Sequence, residues 1–463
     1  MQNMNQTVDG FRRGHPRFYY HSYSVEHKGD SLIIDFLYET EPKVYFIPRI
    51  VIHNVDNRMI SPIGNRVINN LAFHLGLMEI PSYWKATCSP EIVIKAGTLD
   101  DFQIAWWHDL LFAGMGEYFY HNKIDFTVPG FVKIVIEAND NCKRRETFNG
   151  LLNRDKILVP IGGGKDSAVT CELLKRMDKE IVCWRMNPTR SVMEQIDIFT
   201  SREPITVKRS IDGRLLEMNR KGYLNGHTPF SAYLAFASVT CAILFDCGDI
   251  AISNERSSNE GNVWYLGQEI NHQYSKSFDF EGKFRDYTRR YIARDVNYFS
   301  ILRPLYEIQI AEIFSRFKHQ FSIFFSCNKK ERGWCHKCPK CLFVFTILYP
   351  FIEEDSLTKD IFSENIFNDK DVISLAFDLL GAGETKPFEC VGSLEECIVA
   401  FYLCIEKVST GENMLPVVLQ AVNEIIVTKE QNLEERTQRV MNGWNREHFV
   451  PEDIENMLKS CSK

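Results

Sequence analysis

The chain has 463 residues, 44% of them hydrophobic and 13% aromatic, which is enough for packed cores and, at this length, roughly two or three domains. Lysine and arginine number 54 against 61 aspartates and glutamates, a formal charge of −7 that argues against a nucleic-acid partner, because phosphate-backbone binders carry a basic excess. The start, Met1-Gln2-Asn3-Met4-Asn5-Gln6, lacks a basic region followed by an apolar stretch, so no secretory signal is expected and the cytoplasm is the expected location.

In chain order, residues 18–52 alternate in short apolar runs, such as 31–37 and 43–47, and predict antiparallel strands. Helical patterns follow at 65–77 and 100–122, so residues 1–150 are expected to form an amino-terminal α+β domain. From 151 to 349 the order becomes strand (157–161), helix (167–177), strand (180–186), a long helix from Thr228 and a strand at 249–253. That alternation predicts an α/β fold, a parallel sheet flanked by helices with ligands at the strand carboxyl ends. The longest apolar run, 230–245, is interrupted by Ser231, Ser238 and Thr240 and is too short for a bilayer, so it predicts a buried helix and no membrane partner. Residues 350–463 predict a helical carboxyl-terminal region, with a turn at 381–383 and an amphipathic run at 394–406.

Within the second region, Ile157 to Ser167 sets a short apolar strand, a glycine turn and a helix start in succession. Gly162, Gly163 and Gly164 let backbone approach a polyphosphate, and the free N–H groups of a first helical turn favour an anion. Lys165 adds a mobile charge, and Asp166 and Ser167 are expected to cap the helix, with Asp166 also placed to orient magnesium. The plainer alternative is an ordinary strand-to-helix turn. The spacing lacks the Walker and dinucleotide patterns. It resembles the glycine-rich loop of the PP-loop ATP pyrophosphatases, which split ATP between the α and β phosphates and adenylate a carboxylate or carbonyl.

Cys327, Cys335, Cys338 and Cys341 follow as C-x7-C-x2-C-x2-C, a density of thiols suited to one structural zinc ion. Buried free cysteines are the alternative, but Gly333, His336, Lys337, Pro339 and Lys340 between them are not core residues. The spacing is similar to that of the 7-cyano-7-deazaguanine synthases, themselves PP-loop enzymes. Other cysteines, such as Cys171, Cys183, Cys241 and Cys247, lie in apolar segments as reduced core thiols do.

Two further stretches fall where sheet loops should meet. His227 precedes a helix expected to be capped by Thr228 with Pro229 as its first residue; an ordinary capping neighbour is the alternative. Residues 253–262 and 271–277 bring Glu255, Arg256, His272 and Lys276 together after a strand, where substrate contacts or merely solvated surface are both open readings.

The ordered set 162–167, 226–229, 253–262, 271–277, 303–305, 334–345 and 386–392, with 81–86 and 114–120, resembles the ATP-dependent epimerases of UDP-N-acetylmuramoyl-L-alanyl-L-glutamate, the MurL type. The resemblance implies an enzyme that adenylates a terminal glutamate carboxylate, inverts its Cα and releases AMP and pyrophosphate in peptidoglycan precursor synthesis. It implies ATP with Mg2+ at Gly162, Gly163, Gly164, Lys165, Asp166 and Ser167. His227, His272 and Cys390 become acid/base candidates, and Arg256, Lys276 and Glu255 substrate-binding ones, with Lys85 weaker. The last sixty or so residues are covered by no resemblance. Two rivals stand beside this reading: another PP-loop enzyme, making a deazaguanine nitrile or modifying tRNA, and a non-catalytic ATP- and zinc-binding protein.

Overall fold

A computed structural model describes residues 7–138, 142–200, 203–330, 333–383, 385–411, 414–429 and 431–461. Its strands are β1 (Arg17–Lys28), β2 (Ser31–Thr40), β3 (Val44–Phe46), β4 (Arg49–His53), β5 (Glu91–Ile94), β6 (Lys133–Ile136), β7 (Lys156–Pro160), β8 (Glu180–Met186), β9 (Ile205–Ser210), β10 (Asp249–Ile252), β11 (Val263–Tyr265), β12 (Gln268–Ile270) and β13 (Asn297–Ser300). Eleven of them form one sheet in the order β13-β10-β7-β8-β9-β4-β2-β1-β5-β6, with β3 on β2.

The half from β13 to β9 is parallel throughout, as the strand–helix alternation requires. After β7 the chain crosses to β8 on one side, whereas after β10 it crosses to β13 on the other. The carboxyl ends of β7 and β10 therefore border the place where strand order reverses, the crevice in which such sheets bind ligands. The other half is mixed: β1, β2 and β4 pair antiparallel, while β1, β5 and β6 run parallel. The halves join edge to edge at β4 and β9, antiparallel, with Ile50 opposite Arg209. Arg209 also donates two hydrogen bonds to Glu79, at 2.9 and 2.6 Å, tying that strand to the buried helix Asn65–Trp84.

Two expected helices differ in detail. Residues 100–122 form two helices, Asp101–Gly114 and Gly116–His121, broken at Met115. The flanking glycines admit close neighbours: a Cβ on Gly114 would meet Pro229 at 2.8 Å, and one on Gly116 would meet Ile270 at 3.1 Å. The apolar run is indeed a buried helix, Phe230–Leu244, but Thr228 does not cap it. Pro229 keeps a non-helical ψ of 67°, and the Thr228 carbonyl accepts from Phe230 N at 2.6 Å in a tight turn.

The carboxyl-terminal region is helical, chiefly Leu394–Thr410, Val417–Lys429, Leu433–Met441 and Glu452–Cys461. Cys171, Cys183, Cys241 and Cys247 are buried and unbridged. Among the described residues no helix is long and apolar enough to cross a membrane.

Candidate functional site

The glycine turn leaves β7 and enters the helix Lys165–Leu174, with Gly164 at the cap position and no side chain capping it. Asp166 and Ser167 therefore lie inside the first turn and do not cap it as expected. The first-turn N–H groups stay free for an anion. Gly163 has φ +82°, a conformation a side chain would strain, and a Cβ there would meet Val192 at 3.0 Å. Ser167 Oγ donates to Gln195 Oε1 at 2.8 Å, and Gln195 Nε2 donates to the Gly164 carbonyl at 3.2 Å, bracing the turn from below.

Lys165 is not the mobile charge expected. It is 2% exposed and its ammonium pairs with Asp166 and with Glu307, which opens the helix after β13. Asp166, Glu255 and Glu307 each present a carboxylate oxygen within 4.8 Å of the others. Three strand ends thus converge on one carboxylate cluster, a hard oxygen donor set that suits magnesium beside phosphates. Burial and the neighbouring Asp166 and Glu255 push the Glu307 carboxyl up to about 7, against the pull of Lys165. Burial would raise Asp166 too, but Lys165 and Lys340 outweigh it and hold that group ionised.

A second cluster lies beside the first. Glu117, in the first turn of Gly116–His121, receives two imidazoles on one oxygen: His272 Nδ1 at 3.2 Å and His227 Nδ1 at 3.5 Å. The other nitrogen of His272 stands 3.9 Å from Cys390 Sγ, and that sulfur is 3.3 Å from Lys276 Nζ. Burial would lower Lys276, but Cys390, Glu255 and Asp166 outweigh it and keep the ammonium charged. Arg303, fully buried, binds the two loops together: it donates to the Glu255 carbonyl at 2.7 Å and to the Lys276 carbonyl, and pairs with Glu281 at 3.0 Å. Lys85 donates to the Gly226 carbonyl at 2.8 Å and so fixes the turn before His227. Arg256 stacks elsewhere, 4.3 Å over the Tyr306 ring.

Cys390 reaches this place because its segment is laced to both neighbours. Asn262 donates to the Pro387 carbonyl at 2.8 Å, and Lys386 pairs with Glu260 at 2.8 Å. Lys340 donates its backbone N–H to Glu389 at 2.8 Å and its ammonium to the Cys390 carbonyl. Burial would raise the thiol, but Lys276 and His272 overcome it and hold Cys390 at about 6. Carbamidomethylation of Cys390, followed by peptide mass mapping, is expected to rise with pH through a midpoint near 6. Lys276→Met should move that midpoint upward; an unmoved midpoint near the ordinary thiol value would contradict the arrangement.

Cys327, Cys335, Cys338 and Cys341 place their sulfurs within 4.8 Å of one another, with Cys335 and Cys341 at 3.6 Å. Tetrahedral zinc with bonds of about 2.3 Å sets its sulfurs about 3.8 Å apart, so the thiols fit the ion. Backbone N–H groups of Lys329 and Cys341 point at Cys327 and Cys338, each at 3.4 Å. His336 turns away to Glu364 at 2.9 Å. This knuckle also touches the glycine turn, where Phe325 N donates to the Gly163 carbonyl at 2.9 Å.

The sequence singled out seven of these side chains, Asp166, His227, Glu255, His272, Lys276, Cys390 and Lys165, and the structure gathers them. It missed Glu307 and gave no role to Glu117 and Arg303, although both lie in the resembling stretches 114–120 and 303–305. Glu307 had a usable signal, since it follows the last parallel strand as Glu255 follows β10. Glu117 sat inside a stretch read as continuous helix.

The fold is an α/β protein whose parallel-sheet crevice carries a glycine turn, three carboxylates and an adjoining thiol–imidazole cluster. The MurL N-terminal domain model matches residues 11–301 and the MurL C-terminal domain model residues 322–436. The chain belongs to the MurL family. A Salinispora tropica protein named UDP-N-acetyl-alpha-D-muramoyl-L-alanyl-L-glutamate epimerase is 33% identical over 380 residues, 79% of this chain and 80% of its own length. Relatives of the same name from a Micromonospora species (34%, 70% of this chain and 72% of theirs) and Xanthomonas oryzae pv. oryzae (33%, 73% and 75%) also match. No solved structure matches.

Proposed function

We propose that this chain is an ATP-dependent epimerase of UDP-N-acetylmuramoyl-L-alanyl-L-glutamate, adenylating the terminal L-glutamate carboxylate and inverting its Cα in peptidoglycan precursor synthesis. The observation that carries the reading is that the two clusters adjoin: Lys276 Nζ lies 3.3 Å from Cys390 Sγ, and Arg303 donates to both the Lys276 and the Glu255 carbonyls. Phosphate and proton chemistry then meet on one substrate carbon.

A free carboxylate holds its Cα proton tightly, because removing it sets a second negative charge beside the first. Adenylation removes the first charge, and inversion becomes accessible to side-chain acids and bases. In this reading the turn from Gly162 to Gly164, with Ser167, cradles ATP phosphates in the manner of a PP-loop. Asp166, Glu255 and Glu307 would hold magnesium, which would neutralise phosphate charge; Lys165 keeps Asp166 and Glu307 in place. His227 and His272 are the proton-transfer groups, Cys390 stands beside His272, and Lys276 faces the substrate carboxyl. Arg256, packed on Tyr306, is a weaker substrate contact than expected. The reaction is proposed for the cytoplasm, where ATP is supplied.

Incubation with ATP and UDP-N-acetylmuramoyl-L-alanyl-L-glutamate, then acid hydrolysis and chiral analysis, should yield D-glutamate together with AMP and pyrophosphate. Nucleotide cleavage with glutamate left wholly L would reject the epimerase reading.

The four-thiol knuckle is proposed to hold one structural zinc per chain. Elemental analysis should find that stoichiometry, and chelation should expose four additional titratable thiols and lower the unfolding temperature. Metal-free protein with those thiols freely reactive from the outset would refute it.

A further inference from the structure

Cys88 and Cys461 each face a guanidinium, at 3.6 and 2.7 Å, but Cys390 is set beside both an ammonium and an imidazole. Its sulfur lies 3.3 Å from an ammonium and 3.9 Å from an imidazole whose far nitrogen is 3.2 Å from a carboxylate. Carboxylate, imidazole and thiol in that order are the arrangement that activates a sulfur nucleophile: a base within reach, oriented by a third group. The segment carrying it is pinned through Glu389 and the Cys390 carbonyl by Lys340, so the sulfur is held in position and does not ride on a free loop. Arg303 ties the Lys276 carbonyl to that of Glu255, which with Asp166 belongs to the carboxylate cluster where the activated carboxyl would be made.

Resting on the adenylating reading above, we propose that Cys390 is the acyl acceptor: its thiolate attacks the adenylated carboxyl carbon of the terminal glutamate and forms a thioester. The new bond is C–S; the bond broken is C–O to AMP, and AMP leaves with the electron pair. Inversion then takes place on the thioester. One imidazole accepts the Cα proton and a proton returns to the opposite face. Water finally cleaves the C–S bond, adding its oxygen to the acyl carbon and a proton to sulfur.

The chemical reason is leaving-group ability. An enolate next to an acyl phosphate anhydride can expel AMP by elimination before it is reprotonated. A thiolate is a poorer leaving group than a phosphate monoester anion, so the thioester enolate survives long enough to be reprotonated, while its Cα–H remains far more acidic than that of a carboxylate. His272 beside the sulfur supplies positive charge first to the thiolate and then to the developing oxyanion.

The test uses the full chain with ATP and UDP-N-acetylmuramoyl-L-alanyl-L-glutamate, quenched in acid during the first turnovers. Intact-mass analysis is expected to find an adduct of substrate minus water, removed by hydroxylamine and mapped to the peptide containing Cys390. Cys390→Ala should retain first-turnover pyrophosphate release, because adenylation precedes the step. It should lose the adduct and slow AMP release on the order of 100-fold or more. Cys390→Ser should carry a longer-lived ester. Pyrophosphate release with no adduct in either wild type or Cys390→Ser overturns the thioester, as does epimerisation by Cys390→Ala within about 10-fold of wild type. Absence of pyrophosphate from every variant, wild type included, would instead reject the underlying adenylation.

Discussion

Replacing Asp166 with alanine is expected to cut pyrophosphate release by roughly 10²–10³-fold, the range for losing one charge-stabilising group at a phosphate or oxyanion site, while leaving the fold intact. The carboxylate lies in the first helical turn with its side chain 27% exposed, so no packed cavity opens when it is removed. Lys165, only 2% exposed, keeps Glu307 as its partner, so no charge is stranded in the interior. What disappears is one of three carboxylates gathered at the glycine turn. Asp166→Asn keeps the shape and removes only the charge, and it should lose nearly as much. Pyrophosphate release and thermal unfolding, measured on the same preparations, check both halves. Turnover near wild type in a folded Asp166→Ala protein would remove the phosphate-site reading.

The parallel half of the sheet was legible because periodicity and punctuation agreed. The strand at 180–186 was expected where it occurs, and the long apolar helix differs only at its start. The edge pairing of β4 with β9 was not legible, since the bonds joining Ile50 to Arg209 are backbone bonds that leave no trace in side-chain pattern. At the site, the sequence carried the local features: a glycine turn is a local conformation, and four close cysteines are a local density. Glu117 could not be found that way. Its role depends on a helix break at Met115 and on Ile270 and Pro229 approaching two glycines, contacts between segments more than 100 residues apart. Lys165 was misread for a related reason: its partner Glu307 lies 142 residues away, and only the fold reveals that the charge is already neutralised.

In deuterium oxide, solvent deuterium is expected at the Cα of the substrate's terminal glutamate, because inversion must break that C–H bond whereas a ligase has no reason to touch it. His227→Ala and His272→Ala should each slow this exchange by about 10²–10⁴-fold, the usual contribution of a positioned acid or base, while first-turnover pyrophosphate release falls far less. The two imidazoles share one carboxylate yet are held in opposite states. Burial, only partly opposed by Glu117, lowers His227 to about 4, so it is neutral and able to accept a proton. Burial would lower His272 as well, but Cys390 and Glu117 reverse that and raise it to about 9, so it is charged and able to donate. Exchange should therefore fall as pH drops through about 6, where the Cys390 thiolate is protonated, fall further towards about 4, where His227 becomes protonated, and fall again as pH rises through about 9, where His272 loses its proton. Glu117→Gln removes a partner of the charged imidazole and should bring the upper limb to lower pH, a shift that a merely structural carboxylate would not produce. If AMP and pyrophosphate accumulate with this substrate while its Cα never acquires deuterium, the imidazoles are not moving that proton and the chain is an adenylating synthetase.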